Sequence, residues 1–294
     1  MTGAQLITSA LMAVALAAGT ASDLPVSKPP IMLGGYRMLA ADFHVHTFPL
    51  SGSTLAPWDV AIEARQQGLD ALAVTGQNHA LSGIAGEWFW RHFGGPIVLP
   101  GEEIHGPHFH MVALGVRRTI SWRLSAADAI DDVHSQGGVA IAAHPTAGSW
   151  PYWDAGATER LDGAEVFQPV AYIWSGAALE LQQFFARRPL AAIGSSDYHG
   201  YGPLGLCRTL VFVREATPDG IIQALRAHRT VVLGEGHAWG DPALARLAVQ
   251  HPELAAPPAV SPGTRFWALL SRICGIAGIL VLVILIAMPE RSRV

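Results

Sequence analysis

Two short segments near opposite ends of the central part of the chain combine residues that bind metals. Ala41-Asp42-Phe43-His44-Val45-His46 ends an apolar run with two histidines two residues apart, and Ile193-Gly194-Ser195-Ser196-Asp197-Tyr198-His199 carries an aspartate and a histidine at the same spacing. Because residues i and i+2 of a β-strand point to the same face, each pair can direct two ligand atoms at one point. Imidazole and carboxylate together suit Zn, Mn or Fe, which supply a nucleophilic hydroxide at neutral pH. The two segments therefore predict a metal-dependent hydrolase.

Two adjacent glutamates, Glu102 and Glu103, follow the apolar segment Val98-Leu99-Pro100-Gly101. They are either two solvated loop carboxylates or the source of one carboxylate that bridges two metals. Neighbouring residues of a strand point to opposite faces, so only one of the two can enter a site. We expect Glu103 to be that residue.

Histidines crowd the next segment. His105, His108 and His110 cannot all be ligands, and His110 is favoured because it begins an apolar run. His144 ends another strongly apolar run, where a buried structural histidine is the alternative to a metal ligand. The predicted metal ligands are His44, His46, Glu103, His110, His144, Asp197 and His199.

Residues near these ligands are candidates for substrate contact and proton transfer. His199 is either a ligand or the acid that protonates the leaving group, and Asp197 beside it is assigned to the catalytic centre. Arg208 follows a few residues later and is a candidate phosphate contact. Trp150 and Trp153 stand in a Gly/Pro loop. There they either stack on a substrate ring at the rim of the site or pack the loop onto the domain.

Predicted strands and helices, which must position these residues, alternate along the chain. Between residues 37 and 235, short apolar runs alternate with helical patterns, which favours a mainly parallel sheet, open or closed into a barrel. The metal-binding residue types stand mostly at the carboxyl ends of the predicted strands, where βα barrels place their active sites. We predict strands at 38–44, 71–75, 97–103, 111–116, 139–143, 164–167, 191–195 and 210–213, and helices at 58–67, 126–136, 177–186 and 218–226.

Composition narrows the class of protein. The 294 residues suffice for one domain of about 200–250 residues with appendages. A net charge of −4 argues against the basic surface that nucleic-acid-binding proteins use. Lys28 is the single lysine, so lysine is not a catalytic candidate. Cys207 and Cys274 are not expected to pair, because Cys274 lies in a C-terminal apolar stretch.

Both ends of the chain are apolar. The first 22 residues carry no charged side chain and end in small residues, which is typical of a signal peptide, with an uncleaved membrane anchor as the alternative. A later apolar stretch, interrupted only by Arg272, is long enough for a transmembrane helix. The predicted organisation is a signal peptide or anchor at 1–22, a linker at 23–37, the metallohydrolase domain at 38–250, a Pro/Ala-rich linker at 251–265, the transmembrane helix at 266–288 and a short tail at 289–294.

The orientation in the membrane rests on a few arginines. Arg291 and Arg293 follow the apolar stretch, and by the positive-inside rule they place the domain on the extracytoplasmic side. Arg265 and Arg272 favour the opposite orientation. We expect the extracytoplasmic placement, which is consistent with a cleaved signal peptide.

The order and context of the motifs resemble the PHP (polymerase and histidinol phosphatase) domain superfamily of metal-dependent phosphoesterases. The resemblance runs from about residue 38 to residue 235, and Ala224-Leu225-Arg226-Ala227-His228-Arg229-Thr230 looks like its carbaryl-hydrolase-like branch. It implies a distorted seven-stranded βα barrel that binds two or three metals through the seven ligands named above. The matching motifs are Asp42-Phe43-His44-Val45-His46-Thr47, Ala73-Val74-Thr75, Pro100-Gly101-Glu102-Glu103, His110 to Gly115, Ala143-His144-Pro145 and Ser196-Asp197-Tyr198-His199.

The chain departs from the family pattern at one subsite. Ser51 stands where the family has an aspartate, and Gly76-Gln77 stands where it has Asp-His. In the family these positions help hold a third metal together with the last histidine, so we expect two metals here and His199 free for proton transfer. His79 is a candidate replacement for the missing histidine.

The resemblance leads to a specific mechanism. We expect two divalent ions (Zn, Mn or Fe) bridged by Glu103 and a hydroxide, and we expect this hydroxide to attack the phosphorus of a small-molecule phosphomonoester or phosphodiester. One ion is assigned to His44, His46 and Asp197, and the other to His110 and His144. Two alternatives stay open, namely hydrolysis of a carboxyl or carbamate ester or an amide at the same site, and a membrane-anchored binding protein without catalysis.

Overall fold

The computed structural model describes residues 3–22, 30–48, 51–57, 59–146, 153, 155–200, 202–252 and 261–287. The chain forms two compact units. One consists of Met1–Lys28 together with Ala259–Val294, and the other of Pro29–Pro258.

The larger unit is built on one continuous sheet. Its strands follow the order β11-β10-β9-β2-β3-β4-β5-β6-β7-β8, and β1 pairs with β2 at the side. Within the described residues the strands are β1 (Ile31–Leu33), β2 (Tyr36–Val45), β3 (Ala71–Gln77), β4 (Ile97–His105), β5 (His110–Leu114), β6 (Val139–Ala142), β7 (Gly163–Phe167), β8 (Ala191–Gly194), β9 (Thr209–Val213), β10 (Thr230–Gly234) and β11 (His237–Gly240).

The sheet curls into a nearly closed barrel. Where β8 meets β9, the hydroxyl of Thr209 accepts from the Gly194 amide at 3.0 Å and donates to the Gly194 carbonyl at 2.9 Å. A side chain at Gly194 would collide with the Arg208 carbonyl, so this approach requires glycine. Val45 and Tyr198 form a parallel bridge that brings the end of β2 to the segment after β8. Distant parts of the chain therefore meet at one end of the barrel.

The predicted α/β barrel class is confirmed, whereas its strand count and directions differ from the prediction. All eight predicted strands are present, but the sheet also contains β1, β10 and β11. Strands β2, β3, β4, β6, β7, β8 and β10 run in one direction, while β1, β5, β9 and β11 run in the opposite direction. The hairpins β4–β5 and β10–β11 need only short turns, so they leave no helical pattern that would reveal a crossover.

Helices fill most of the connections. Two begin with side-chain caps, since the Ser125 hydroxyl accepts from the Asp128 amide and the Thr217 hydroxyl accepts from the Gly220 amide. The helices of the larger unit are α2 (Asp59–Gln66), α3 (Leu81–Phe93), α4 (Ala126–Ser135), α5 (Ala155–Thr158), α6 (Val170–Ile173), α7 (Ala177–Phe185), α8 (Pro218–Arg226) and α9 (Pro242–Ala248).

Alternate residues of β2 separate two layers of the core. Leu39, Ala41 and Phe43 pack inside the barrel with apolar residues of the neighbouring strands and of α8. Met38 and Ala40 pack on the other side, against the buried face of α2. The barrel therefore has a filled apolar interior, with the polar side chains of interest gathered at one end.

The smaller unit pairs two apolar helices, α1 (Gly3–Ser22) and α10 (Pro262–Ala287). Pro262–Leu285 is long and apolar enough to cross a membrane by length and composition. The predicted transmembrane helix at 266–288 falls in α10 apart from Met288, which lies outside the described residues, as does the predicted tail. The predicted linker at 23–37 is wrong over its last part, because residues 31–33 form β1 and β2 begins at Tyr36.

Candidate metal centre

A β-bulge in β2 aims both histidines of the first motif into the barrel. Ala41 and Asp42 pair with consecutive residues of β3, but the register shifts before Val45. The extra residue lets His44 point inward although Phe43 before it also packs inside, and His46 follows on the same side. Simple alternation along β2 would have placed Phe43 and His44 on opposite faces.

The first donor group combines His44, His46, Glu103 and Asp197. The Nε2 atoms of the two histidines are 3.1 Å apart, and Asp197 Oδ1 lies 3.3 Å from His44 Nε2 and 3.1 Å from His46 Nε2. Glu103 Oε2 lies 3.4 Å and 3.3 Å from the same two nitrogens. Four ligand atoms from three separate parts of the chain therefore converge on one point.

The second donor group shares Glu103 and adds His110 and His144. Glu103 Oε1 lies 3.0 Å from His110 Nδ1 and 3.3 Å from His144 Nε2. The two oxygens of one buried carboxylate thus belong to different groups.

This donor set fits divalent metal ions. Two imidazole nitrogens at 3.1 Å can share at most one proton when both rings are neutral, and both also face carboxylate oxygens. Such crowding of nitrogen and oxygen lone pairs around a buried point suits a cation held by imidazole and carboxylate. These groups are therefore candidate sites for Zn, Mn or Fe.

The acidic members of the cluster are stabilised as anions. Burial by itself would raise the pKa of Glu103, but nearby His44 and hydrogen bonds from the imidazoles of histidines 105, 110 and 144 hold this pKa well below its ordinary value. The pKa of Asp197 is lowered against the same effect of burial by His44 and by a hydrogen bond from His46. Anionic carboxylates are the form that binds metals.

Two of the ligand candidates have a left-handed backbone. The φ angle is 27° at His144 and 48° at Asp197, values that non-glycine residues adopt at a cost in free energy. The His144 amide donates to Glu165 Oε2 at 2.6 Å, which helps hold this conformation.

His199 and His105 flank the cluster. The His199 ring centroid lies 4.2 Å from that of His46, and its Nδ1 is 2.8 Å from the Asp197 carbonyl oxygen, leaving Nε2 for other contacts. His105 was considered a weaker ligand candidate than His110. Its ring stacks on that of His110 with the centroids 3.7 Å apart, and its Nε2 lies 2.6 Å from Glu103 Oε2. His108 is exposed in the following turn.

The adjacent glutamates separate as expected. Glu103 enters the cluster, whereas Glu102 points away and accepts from the Ile120 amide at 2.6 Å. Burial raises the pKa of Glu102 to about 7.

The contacts of Arg208 correct its assignment as a phosphate contact. The side chain is buried, and its guanidinium donates from Nε to the Gly205 carbonyl at 2.9 Å and from Nη2 to the Gln67 carbonyl at 3.1 Å. Burial lowers the pKa of Arg208 to about 10. Arg208 therefore ties the loop before β9 to the end of α2.

The structure favours packing over substrate stacking for Trp153. Its ring is buried 5.5 Å from Phe109 and 6.1 Å from Phe184 in an apolar cluster outside the barrel. Trp150, predicted with it to contact substrate, lies outside the described residues.

The positions that depart from the family pattern lie together. The Ser51 hydroxyl accepts from the Gln77 amide at 3.2 Å. A side chain at Gly76 would collide with the His79 ring, so this imidazole occupies the space beside Gly76. Within the described residues, His79 joins no group of three metal-binding side chains.

Three residues that support the cluster were not predicted from the sequence. Glu165 accepts from His44 Nδ1 at 2.9 Å and from the Ser195 hydroxyl at 2.5 Å, in addition to the His144 amide. Gln168 Nε2 donates to Asp197 Oδ2 at 3.1 Å. Asp42 accepts from the amides of Ser196 and Gly205. A charged residue inside the apolar strand Gly163–Phe167 was the available signal for Glu165.

One segment of the chain matches a known protein family. The family described as PHP-associated matches residues 180–230, which contain Asp197, His199 and helix α8. The uncharacterized protein MJ1587 of Methanocaldococcus jannaschii is 29% identical over 119 residues, with a coverage of 36% of this chain and 68% of that protein.

The chain is also similar to solved structures. A two-domain protein of Bacteroides vulgatus, described as containing a predicted PHP-like metal-dependent phosphoesterase, has a TM-score of 0.62 and 23% identity, covering 77% of this chain and 73% of that chain. PsfC of Pseudomonas syringae has a TM-score of 0.48 and 17% identity, covering 74% of this chain and 98% of that chain. The first likeness confirms the PHP-like fold that the motifs predicted, and the carbaryl-hydrolase branch stays a prediction.

Proposed function

We propose that this chain is a metal-dependent phosphoesterase that holds two divalent cations, one in each donor group. The observation that carries the proposal is the position of Glu103, whose Oε2 lies in one group and whose Oε1 lies in the other. A carboxylate shared in this way is the bridging ligand expected of a dinuclear site.

The cations would supply an activated water at neutral pH and would neutralise charge that develops on the scissile group. The residues of the chain arrange this chemistry. Glu103 and Asp197 balance the positive charge, and Gln168 fixes the second oxygen of Asp197. Glu165 fixes the His44 ring by accepting from Nδ1, which leaves Nε2 as the ligand atom.

His199 is suited to protonate the leaving group. Its Nδ1 faces the Asp197 carbonyl, so Nε2 is the nitrogen available to a substrate, and the side chain is partly exposed beside His46. A positioned imidazole with access to the substrate is the usual general acid of such a reaction. The substrate is a small-molecule phosphoester.

The domain is tethered to a membrane in this proposal. Residues 262–285 are long and apolar enough for one span, and the arginines at 291 and 293 support an extracytoplasmic domain.

The first test is the metal content of the full-length protein purified in detergent. We expect about two Zn, Mn or Fe ions per chain, the number that a site with one bridging carboxylate holds. His144→Ala should lose metal, while His92→Ala, which removes an exposed histidine from α3, should keep it. Phosphoester turnover should follow metal content. A wild-type protein that binds no metal after reconstitution would refute the proposal.

A further inference from the structure

Charge is distributed unequally between the two ends of the barrel. Strands β2, β3, β4, β6, β7 and β8 all finish at the metal-cluster end. The described residues of the connections at this end include no lysine and no arginine. They are residues 46–48, 51–57, 78–80, 106–109, 143–146, 153, 168–176, 195–200, 202–207 and 235–236.

The connections at the opposite end are rich in arginine. The loop between β5 and α4 alone contains Arg117, Arg118 and Arg123. The further arginines in connections at this end are Arg160, Arg187, Arg188, Arg214 and Arg229. Arg208 follows a connection at the cluster end, but its guanidinium is buried against two main-chain carbonyls. In the larger unit, the arginines of the described connections therefore lie at the end opposite the cluster.

Large apolar side chains are exposed at the cluster end. Phe48 is 59% exposed and stands two residues after His46. Tyr172 and Trp174, 58% and 49% exposed, follow Gln168, which contacts Asp197. Exposed apolar residues beside a polar site are a common feature of ligand-binding surfaces.

We infer that the substrates of this site carry at most one negative charge and bear apolar, preferably aromatic, ester groups, as an aryl phosphodiester does. Sites for dianionic phosphate groups usually add arginine or lysine to bind the extra charge, and the loops here offer neither. The exposed aromatic residues instead favour contact with an apolar ring. This inference rests on the proposed phosphoesterase function and narrows its substrate class.

Three substrates with one leaving group separate charge from apolar contact. 4-Nitrophenyl phosphate is a dianion at pH 8, methyl 4-nitrophenyl phosphate is a monoanion, and bis(4-nitrophenyl) phosphate is a monoanion with a second ring. With the metal-loaded full-length protein we expect kcat/KM to rise about tenfold from the first to the second. We expect a further rise of about fivefold to the third.

Single substitutions test which residues cause these substrate preferences. Phe48→Ala should remove most of the preference for the second ring, and Phe48→Arg should shift preference toward the dianion. Trp122→Ala, which removes an exposed aromatic from the opposite end, should leave all three rates unchanged. Faster hydrolysis of the dianion than of both diesters would overturn this inference and leave the phosphoesterase proposal standing. Failure to hydrolyse any of the three would overturn both.

A separate observation concerns the N-terminal helix. The Ser271 hydroxyl of α10 donates to the Ala15 carbonyl of α1 at 2.7 Å. A Cβ built on Gly275 would lie 3.8 Å from Ala15 Cβ, and one on Gly278 would lie 2.8 Å from Met12 Sδ. Small residues that let helices approach, with a serine bonded to a facing carbonyl, are typical of helix pairs in membranes.

We propose that α1 is retained as a membrane anchor paired with α10, and is not removed as a signal peptide. Its apolar part, Gly3–Gly19, is about 26 Å long as a helix, which is at the lower limit for a bilayer core and shorter than the candidate span in α10. In full-length protein, Ala15→Cys/Gly275→Cys should form a disulfide, because the Cβ separation matches that of natural disulfides. Leu16→Cys/Gly275→Cys should not, because Leu16 is exposed on another face. An intact mass that shows cleavage near residue 22, or equal cross-linking of both pairs, would overturn the proposal.

Discussion

The two sides of the histidine cluster differ in what they offer to a cation. On one side, donor atoms from β2, β4, β5 and the segments after β6 and β8 converge around Glu103. On the other side, the family positions for a third metal carry Ser51, Gly76 and Gln77. The Ser51 hydroxyl there already accepts from the Gln77 main-chain amide at 3.2 Å.

This difference shows how the third metal subsite can lose its donors while the two donor groups beside it keep theirs. The first side draws donors from five parts of the barrel that its closure brings together, whereas the second depends on Ser51 in the connection after β2 and on Gly76 and Gln77 at the end of β3. The His79 ring fills the space beside Gly76, the position at which the family pattern has an aspartate. The side with converging donors should therefore control metal binding, and the substituted side should control only what surrounds the substrate.

The largest effect should come from Glu103→Gln. An amide cannot act as an anionic ligand to two cations, so both ions should be lost and kcat/KM should fall by about a thousandfold or more. Metal analysis and phosphoester turnover measure the two effects. The matched control is Glu102→Gln, one residue away on the opposite face of β4, which should keep both ions. Retention of two tightly bound ions by Glu103→Gln would show that Glu103 is not shared.

His199→Gln should lower kcat by about a hundredfold for an alkyl phosphoester, because the leaving alkoxide needs a proton. For a 4-nitrophenyl ester the effect should be small, since that leaving group departs as an anion. Metal content should stay at the wild-type level. If the variant instead loses a cation, His199 is a ligand and the two sides are less distinct than proposed.

Glu165→Gln should weaken metal binding by about 10–100-fold, the usual effect of removing a partner that orients a ligating histidine. Glu165 contacts His44 in the first group and the His144 amide in the second, so both ions should be affected. Competition with a chelator measures the affinities. A loss confined to one ion would show that Glu165 serves only one donor group.

Ser51→Asp combined with Gln77→His should convert the substituted side into a third cation site. These changes restore the donor types that the family resemblance places there, and they avoid Gly76, where a side chain would meet His79. We expect one additional ion per chain with little change in the first two. Three ions in the wild-type protein would mean that His79 already completes the subsite.

The smallest effect concerns Glu102, which lies outside the cluster. Burial raises its pKa from the ordinary value of 4.5 to about 7 in the folded protein. Between these values the folded state keeps a proton that the unfolded state releases, so the free energy of unfolding should fall as pH rises from about 4.5 to 7. Glu102→Gln keeps an acceptor for the Ile120 amide and should be more stable than the wild type at pH 8 by about 1–3 kcal/mol. Denaturant unfolding at pH 5 and pH 8 tests this, and an equal difference at both values would contradict it.

Much of the fold and the candidate site could be predicted from local pattern. Apolar runs identified eight strands, and the residue types at the ends of these strands identified every side chain of the two donor groups. Alternation along one strand predicted that only one of Glu102 and Glu103 can enter the site, and Glu103 is the one that does. These features are local because side-chain chemistry and strand periodicity are properties of neighbouring residues.

Other features depended on which distant residues meet. Arg208 has the charge of a phosphate ligand, but barrel closure buries it against Gly205 and Gln67. Trp153 has the composition of a stacking residue, yet its loop folds onto Phe109 and Phe184.

The sequence by itself therefore determined which donors exist, in what order they occur and on which strands they stand. Only the tertiary structure decided that the bulge in β2 turns His44 inward beside Phe43, and that Glu165 reaches both His44 and His144. The physical reason is that both features depend on the closed sheet. Strand register sets the direction of the His44 side chain, and His44 meets Glu165, 121 residues away, only when the closed sheet fixes the strands against one another.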